Sequence, residues 1–135
     1  MNCKQLAMEA IKARDKAYTP YSGFKVGAAL LCEDGSVYHG CNIENAAYSP
    51  TVCAERVAVF KAVSDGKRAF RAIAVVGGKE KAGFVTPCGV CRQVLTEFCG
   101  RDFLVLLVQD GDGNYTETTL GALLPYAFGT DSLNG

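Results

Sequence analysis

A chain of 135 residues with 49% hydrophobic side chains is long enough for one buried core and leaves little for a second module. Its 14 Lys and Arg balance 14 Asp and Glu, and no basic run breaks the balance, so charge draws neither nucleic acid nor an anionic membrane. No apolar run approaches the roughly 20 residues that a membrane-spanning helix needs.

The opening residues Met1 to Gln5 lead into an amphipathic pattern and not into the apolar core of a signal peptide, which gives the expectation of a cytoplasmic protein, a single domain over residues 1–135. Seven cysteines without an export signal argue against a disulfide framework, because the cytosol keeps thiols reduced.

In chain order, Asn2 caps a helix whose apolar positions Leu6, Ala7, Ala10, Ile11 and Ala17 keep helical spacing until Thr19-Pro20 ends it. Phe24 to Cys32, the turn Glu33-Asp34-Gly35-Ser36 and Val37 to Cys41 read as a hairpin that brings Phe24 and Asn42 to one end. Ser49-Pro50 offers an N-cap followed by Pro at the first helical position, and Val52, Val57, Val59, Phe60 and Val63 carry that pattern to Asp65-Gly66. Phe70 to Gly78 is an apolar strand. Thr86-Pro87 opens a further helix with Val90, Val94, Leu95 and Phe98 on its inner side. Phe103 to Val108 is the most hydrophobic strand, Asp110 to Asn114 is a turn, and Tyr115 to Thr119 is a shorter strand before a helical segment from Leu120 to Leu124. Strand, helix, strand order through the middle implies parallel neighbours, while hairpins add antiparallel pairs, so the sheet is expected to be mixed with helices on both faces.

Both of the segments that carry chemistry fall at expected helix starts. Cys53-Ala54-Glu55-Arg56 and Pro87-Cys88-Gly89-Val90-Cys91 offer three thiolates, a set that suits a tetrahedral Zn²⁺ with its fourth position open, the arrangement of a catalytic zinc. Unpaired N–H groups at a helix start favour negative charge and lower a thiol's pKa. Cys88 and Cys91, three residues apart, put both sulfurs on one side of one turn. Glu55 stands beside the metal without being a ligand, and a carboxylate next to zinc in a Cys-x-Glu, Pro-Cys-x-x-Cys pattern is the signature of zinc nucleobase deaminases. Arg56, three residues after Cys53, lies on the same helical face. Three thiolates leave a net charge near −1 on a zinc centre, and the Arg56 guanidinium is placed to offset it by hydrogen bonding to sulfur.

The chain resembles the small cytidine deaminases in their three-cysteine, homotetrameric form. The likeness extends beyond the metal segments to Tyr21-Ser22-Gly23-Phe24-Lys25-Val26-Gly27-Ala28-Ala29, Asn42-Ile43-Glu44-Asn45, Arg92-Gln93 and Leu123-Leu124-Pro125 with Phe128, in family order over nearly the whole chain. The resemblance implies an α/β fold, a three-layer α/β/α sandwich around a mixed five-stranded sheet. It implies one Zn²⁺ per subunit on Cys53, Cys88 and Cys91, with Glu55 moving protons between water, the pyrimidine N3 and the departing amine. The implied reaction is hydrolytic deamination of cytidine and 2′-deoxycytidine in pyrimidine salvage. By the same resemblance Phe24 stacks on the base, Asn42 and Glu44 bind the ribose hydroxyls, and the backbone of Ala54 and Thr86 meets the base edge. Phe128 reaches across a homotetramer to cover a neighbour's site, with Tyr48 near the same junction.

Other readings compete. Deaminases of nucleoside-like antibiotics share Cys-Ala-Glu and Pro-Cys-Gly-x-Cys-Arg, although Asn42 with Glu44 points to ribose. A Cys-x-x-Cys redox protein explains Cys88 and Cys91 but leaves Cys53-Ala54-Glu55 unused. A structural zinc module needs a fourth cysteine, for which Cys41 is the candidate; Cys99 lies too far along its helix. The remaining cysteines Cys3, Cys32, Cys41 and Cys99 otherwise read as small buried hydrophobes. The Asp110 to Asn114 turn lacks the Gly and closing Glu of a calcium loop. His39, the sole histidine, reads as a surface or edge residue.

Overall fold

A computed structural model describes residues 1–134. Helix α1 (Cys3–Arg14) opens the chain and is followed by strands β1 (Gly27–Cys32) and β2 (Val37–Cys41), then α2 (Ala54–Ser64) and β3 (Phe70–Val76). Helix α3 (Gly89–Phe98), strands β4 (Leu104–Val108) and β5 (Tyr115–Thr119), and two short helices, α4 (Leu120–Leu123) and α5 (Thr130–Asn134), complete it. The five strands form one sheet in the order β2-β1-β3-β4-β5. Only β3 and β4 are parallel, joined through α3; the other neighbours are antiparallel, so the sheet is mixed as expected.

The three central strands are apolar at almost every position because both faces of the sheet are covered. Alternate residues point to opposite sides of a strand. Ala29, Leu31, Ala72, Ala74, Val76, Leu106 and Val108 meet Leu6, Ala7 and Ala10 of α1. Ala28, Leu30, Ile73, Val75, Val105 and Leu107 meet Ala54, Ala58 and Val59 of α2 and Leu95 of α3. This is the three-layer α/β/α sandwich. Each fully buried Leu, Ile or Val contributes about 1.5–3 kcal/mol relative to an exposed one.

Two glycines set the spacing between layers. A Cβ on Gly40 of β2 would stand 2.1 Å from the Ala54 carbonyl oxygen and 2.6 Å from the Ala58 nitrogen, so α2 lies directly on the strand's backbone. Gly27 does the same for α1: its Cβ would stand 2.2 Å from the Ala10 carbonyl oxygen.

Helix boundaries differ from the sequence expectation. Asn2 caps α1 as expected, in a capping box with Gln5, but regular helix ends at Arg14, and tighter turn bonds from Lys16 to Ala13 and Ala17 to Arg14 finish it before Thr19. Ser49-Pro50 does not start α2. Val52 pairs with Ile43 across an antiparallel bridge, which keeps that stretch extended, and Cys53 is the N-cap. Likewise Cys88, not Thr86-Pro87, precedes α3, which places Cys88 at the N-cap and Cys91 inside the first turn. Leu95 is buried as expected, but Val90, also expected on the inner side, is 55% exposed, because the first turn of α3 points Cys91 inward instead. β1 begins at Gly27 and not at Phe24, since Val26 donates its N–H to the Asn42 side chain and not to the strand ladder. β3 stops at Val76, and β4 begins at Leu104. Helix α5 has no counterpart in the sequence reading.

Candidate active site

Two helix starts converge on one point. The sulfur atoms of Cys53, Cys88 and Cys91 lie within 4.8 Å of one another, and the Cys53 and Cys88 sulfurs are 3.5 Å apart. A tetrahedral zinc with metal–sulfur bonds of about 2.3 Å separates its sulfurs by about 3.8 Å, so this donor set fits the ion in number, chemistry and spacing. Cys91 is buried, Cys53 half-buried and Cys88 exposed, which leaves the cup open on the Cys88 side. Among the described residues, no fourth cysteine joins the group: Cys41 sits on the edge strand β2 and Cys99 beyond the far end of α3.

The surroundings of the cup favour a thiolate at Cys53. A hydrogen bond from Cys91, and then one from Arg56, draw the Cys53 thiol down to about 5 against opposing burial. The two thiols move in opposite directions: Cys91, as the donor and buried, is pushed well above the ordinary thiol range. Arg56 Nη2 donates to Cys53 Sγ at 3.4 Å, the sulfur contact its spacing predicted, and the thiolates raise its own pKa.

Glu55 occupies the second position of α2 and is 3% exposed. Burial pushes its carboxyl up to about 7, with the Cys53 charge adding to the rise and the helix-start N–H and Arg56 opposing it. A buried carboxyl two residues after the Cys53 helix cap, with no salt bridge among the described residues, has the environment in which a side chain both accepts and returns protons.

A second cluster surrounds Phe24. Asn42 accepts from the Val26 N–H at 2.8 Å and donates Nδ2 to the Phe24 carbonyl at 2.9 Å. Glu44 accepts from the Tyr21 and Ser22 N–H groups at 3.0 and 3.1 Å and from the Ser22 hydroxyl, which in turn accepts from the Phe24 N–H. Those bonds lower the Glu44 pKa, the Ser22 hydroxyl foremost. Phe24 keeps part of its ring exposed. Tyr48, at a left-handed φ of 64°, stands edge-on to Tyr21 with ring centres 6.3 Å apart, so it joins this cluster. Ala54 is fully buried at the first position of α2.

Arg92 and Gln93 make contacts that the motif does not disclose. Arg92 folds back over the start of α3, donating Nε to the Pro87 carbonyl at 2.7 Å, Nη1 to the Leu123 carbonyl at 2.5 Å and Nη2 to the Thr86 hydroxyl at 3.3 Å. Gln93 donates to the Phe128 carbonyl at 2.8 Å. A cation in a helix's first turns opposes the dipole, and that local conflict was the available sign of a specific role. Phe128 itself is not brought to the cup. Phe128 is 61% exposed and borders a cavity of about 490 Å³ at the far end of α3.

With this geometry in view, the family model described as the cytidine and deoxycytidylate deaminase zinc-binding region matches residues 1–107. The chain belongs to that deaminase family. A cytidine deaminase from Sporosarcina psychrophila is 57% identical over 134 residues, covering 99% of this chain and 96% of that protein. One from Halalkalibacterium halodurans is 52% identical, covering 99% of each. The crystal structure of a Burkholderia pseudomallei cytidine deaminase superposes with a TM-score of 0.87 at 49% identity, covering 95% of this chain and all of that one. Membership in this deaminase family makes the chain a zinc-dependent hydrolytic deaminase, and the redox and structural-zinc readings fall away. No helix among the described residues is long and apolar enough to cross a membrane.

Proposed function

We propose that this single-domain chain, residues 1–135, deaminates free cytidine and 2′-deoxycytidine to the corresponding uridines, releasing ammonia, as a step of pyrimidine salvage in the cytoplasm. The observation that carries the reading is the buried Glu55 carboxyl set beside a three-sulfur cup at two helix starts. Zn²⁺ held by Cys53, Cys88 and Cys91 supplies the Lewis acidity that makes water a nucleophile near neutral pH. Glu55 takes a proton from the attacking water and gives it to N3 of the ring, then takes the proton of the new C4 hydroxyl and gives it to the amine, which leaves as ammonia as the C4 carbonyl forms. Arg56 offsets the negative charge of the sulfurs through its bond to Cys53.

The second cluster holds the nucleoside. Phe24 offers its exposed ring face to the pyrimidine, and the backbone of Ala54 and Thr86 meets the base edge. Asn42 and Glu44 already bond to the Tyr21 to Val26 loop, yet each keeps further donor or acceptor capacity for ribose hydroxyls. A carboxylate at the sugar and a neutral chain both oppose a 5′-phosphate or a nucleic-acid backbone. Identity of 57% to a cytidine deaminase, together with Asn42 and Glu44, favours a nucleoside over the antibiotic alternative. Tyr48 and Phe128 are exposed aromatics suited to a junction between subunits of a homotetramer.

Incubation of the purified protein with cytidine, deoxycytidine, cytidine 5′-phosphate and a cytosine-containing oligonucleotide tests this. Ammonia and uridine from the two nucleosides alone are expected; turnover of the oligonucleotide, or none of cytidine, overturns the assignment.

A further inference from the structure

Arg14 is a buried cation for which the deaminase reading has no use. It is 8% exposed, and among the described residues no carboxylate pairs with it. An isolated buried guanidinium is costly unless oxygen acceptors replace its water. Here they are backbone carbonyls. Nη2 donates to Gly78 O at 2.7 Å and lies 3.4 Å from Lys79 O, while Nε has no partner. Its position at the C-terminal end of α1, where unpaired carbonyls accumulate, also favours a cation.

The packing that brings Arg14 there is specific. A Cβ on Gly27 would stand 2.3 Å from the Arg14 nitrogen and 2.7 Å from its Cα, so α1 ends directly on the start of β1. Gly27 pairs with Val76, and Gly78 lies two residues beyond that partner, within reach of the guanidinium. Gly78 itself has φ +119°, and a Cβ there would stand 1.9 Å from Lys81 O, so the turn from Gly77 to Gly83 admits no side chain at that point. Reciprocal N–H to carbonyl bonds of 2.9 and 2.7 Å between Gly77 and Gly83 close it.

This turn is the wall behind Phe24. Gly78 O accepts from the Lys25 N–H at 3.2 Å as well as from Arg14. At Gly77, a Cβ would stand 3.1 Å from Cε1 of the Phe24 ring and 2.9 Å from Cγ1 of Val85, the residue before Thr86. Asn42 and Ser22 fix the main chain of Phe24 from one side; Gly77 and Gly78 back its ring and its successor from the other. The anchor of that second side is Arg14.

We infer that Arg14 is a positioning residue for nucleoside binding: by holding Gly78 it sets the wall against which the Phe24 ring lies. The inference rests on the proposed stacking of Phe24 on the base. It separates Arg14 from the metal cup, with which Arg14 shares no hydrogen bond.

A double-mutant cycle on the zinc-loaded protein tests it, using Arg14→Gln, Arg14→Lys, Phe24→Ala and the combinations, with KM and kcat for cytidine, zinc content and thermal unfolding measured for each. Loss of a charged hydrogen bond is expected to raise KM about tenfold in Arg14→Gln, with kcat within about twofold and zinc unchanged. Arg14→Lys, which keeps the charge, should recover part of that loss. In the Phe24→Ala background Arg14→Gln should change KM by less than about twofold, because the group it positions is gone. If Arg14→Gln does not fold, the cycle is closed with Arg14→Lys, whose smaller rise in KM must likewise vanish in Phe24→Ala. A fall in kcat at constant KM, or effects of Arg14 and Phe24 that simply multiply, overturns the inference while leaving the stacking role intact. An unchanged KM in Phe24→Ala overturns the stacking role and the inference with it.

Discussion

The two ends of α3 differ in how completely one chain finishes them. At its start, Cys88 and Cys91 meet Cys53 and Arg56 in a cup whose acid, Glu55, is shut away from solvent. Beyond its end, residues 125–134 lie open: Tyr126 is fully exposed, Phe128 and Leu133 largely so, and the Phe128 backbone is tied to α3 through Gln93. Burial has to be complete around a carboxyl that it tunes, because solvent would erase the shift, while the sulfur cup keeps its opening on the Cys88 side. Exposed aromatics in a small domain have the opposite logic and ask for a surface to cover them. The chemistry is thus built within one subunit, while the cover over the substrate is the part we propose a neighbour supplies.

The cup's self-sufficiency makes its residues the most sensitive in the molecule. Replacing Cys53, Cys88 or Cys91 with Ala should remove zinc and activity together, read by metal analysis beside turnover. Full zinc in all three variants would break the assignment of the cup. Glu55→Gln should keep both fold and zinc, since the amide has the same shape, and lower kcat by about 10²–10⁴-fold. Turnover close to that of the unaltered protein would place the proton carrier elsewhere.

Legibility in the sequence divides along the same line. The cup could be read because its signal is local: Cys-Ala-Glu-Arg and Pro-Cys-Gly-Val-Cys each lie within one helical turn, and the apolar runs between them could only be strands covered on both faces. The helix starts fall later than Ser49-Pro50 and Thr86-Pro87, good local caps that tertiary contacts overrule; Ser49-Pro50 sits in a turn closed from Thr51 to Tyr48, and the Ile43 to Val52 bridge keeps Val52 out of α2. Long-range contacts to backbone were not legible. Arg14 to Gly78 spans 64 positions and Arg92 to Leu123 spans 31, and a carbonyl acceptor leaves no mark in the residue type. Asn42 and Glu44 were identified through family likeness, but not their grip on the Tyr21 to Val26 loop. Helix α5 is too short to show a period.

Position 40 tests how tightly the cup depends on the sheet beneath it. Gly40→Ala puts a methyl group 2.1 Å from the Ala54 carbonyl oxygen, and backbone there cannot swing aside as a side chain can. The start of α2, with Cys53 and Glu55, must move. Overpacking of this kind costs about 1–3 kcal/mol, to be measured by denaturant unfolding, and zinc affinity should fall with it. Unaltered stability would mean that α2 is free to shift on the sheet and that the cup is less rigid than its burial implies.

The smallest effect is expected at the open end. Truncation after Pro125 removes Tyr126, Phe128 and α5 but leaves Leu123, the acceptor for Arg92, in place. The cup loses none of its own residues, so zinc content and kcat should be retained. What is lost is an aromatic contact worth about 0.5–1.5 kcal/mol, equivalent to a rise in KM for cytidine of roughly 2- to 12-fold. A mass measurement in solution accompanies the kinetics, since the proposed cover is contributed between subunits: the full chain should run as a tetramer, and mixing truncated chains with Glu55→Gln chains should restore low KM in hybrid tetramers, where the inactive subunit lends its Phe128 to an active one. If truncated chains keep the KM of the full protein, or if hybrids show no recovery, Phe128 covers no neighbouring site and the two ends of α3 are independent.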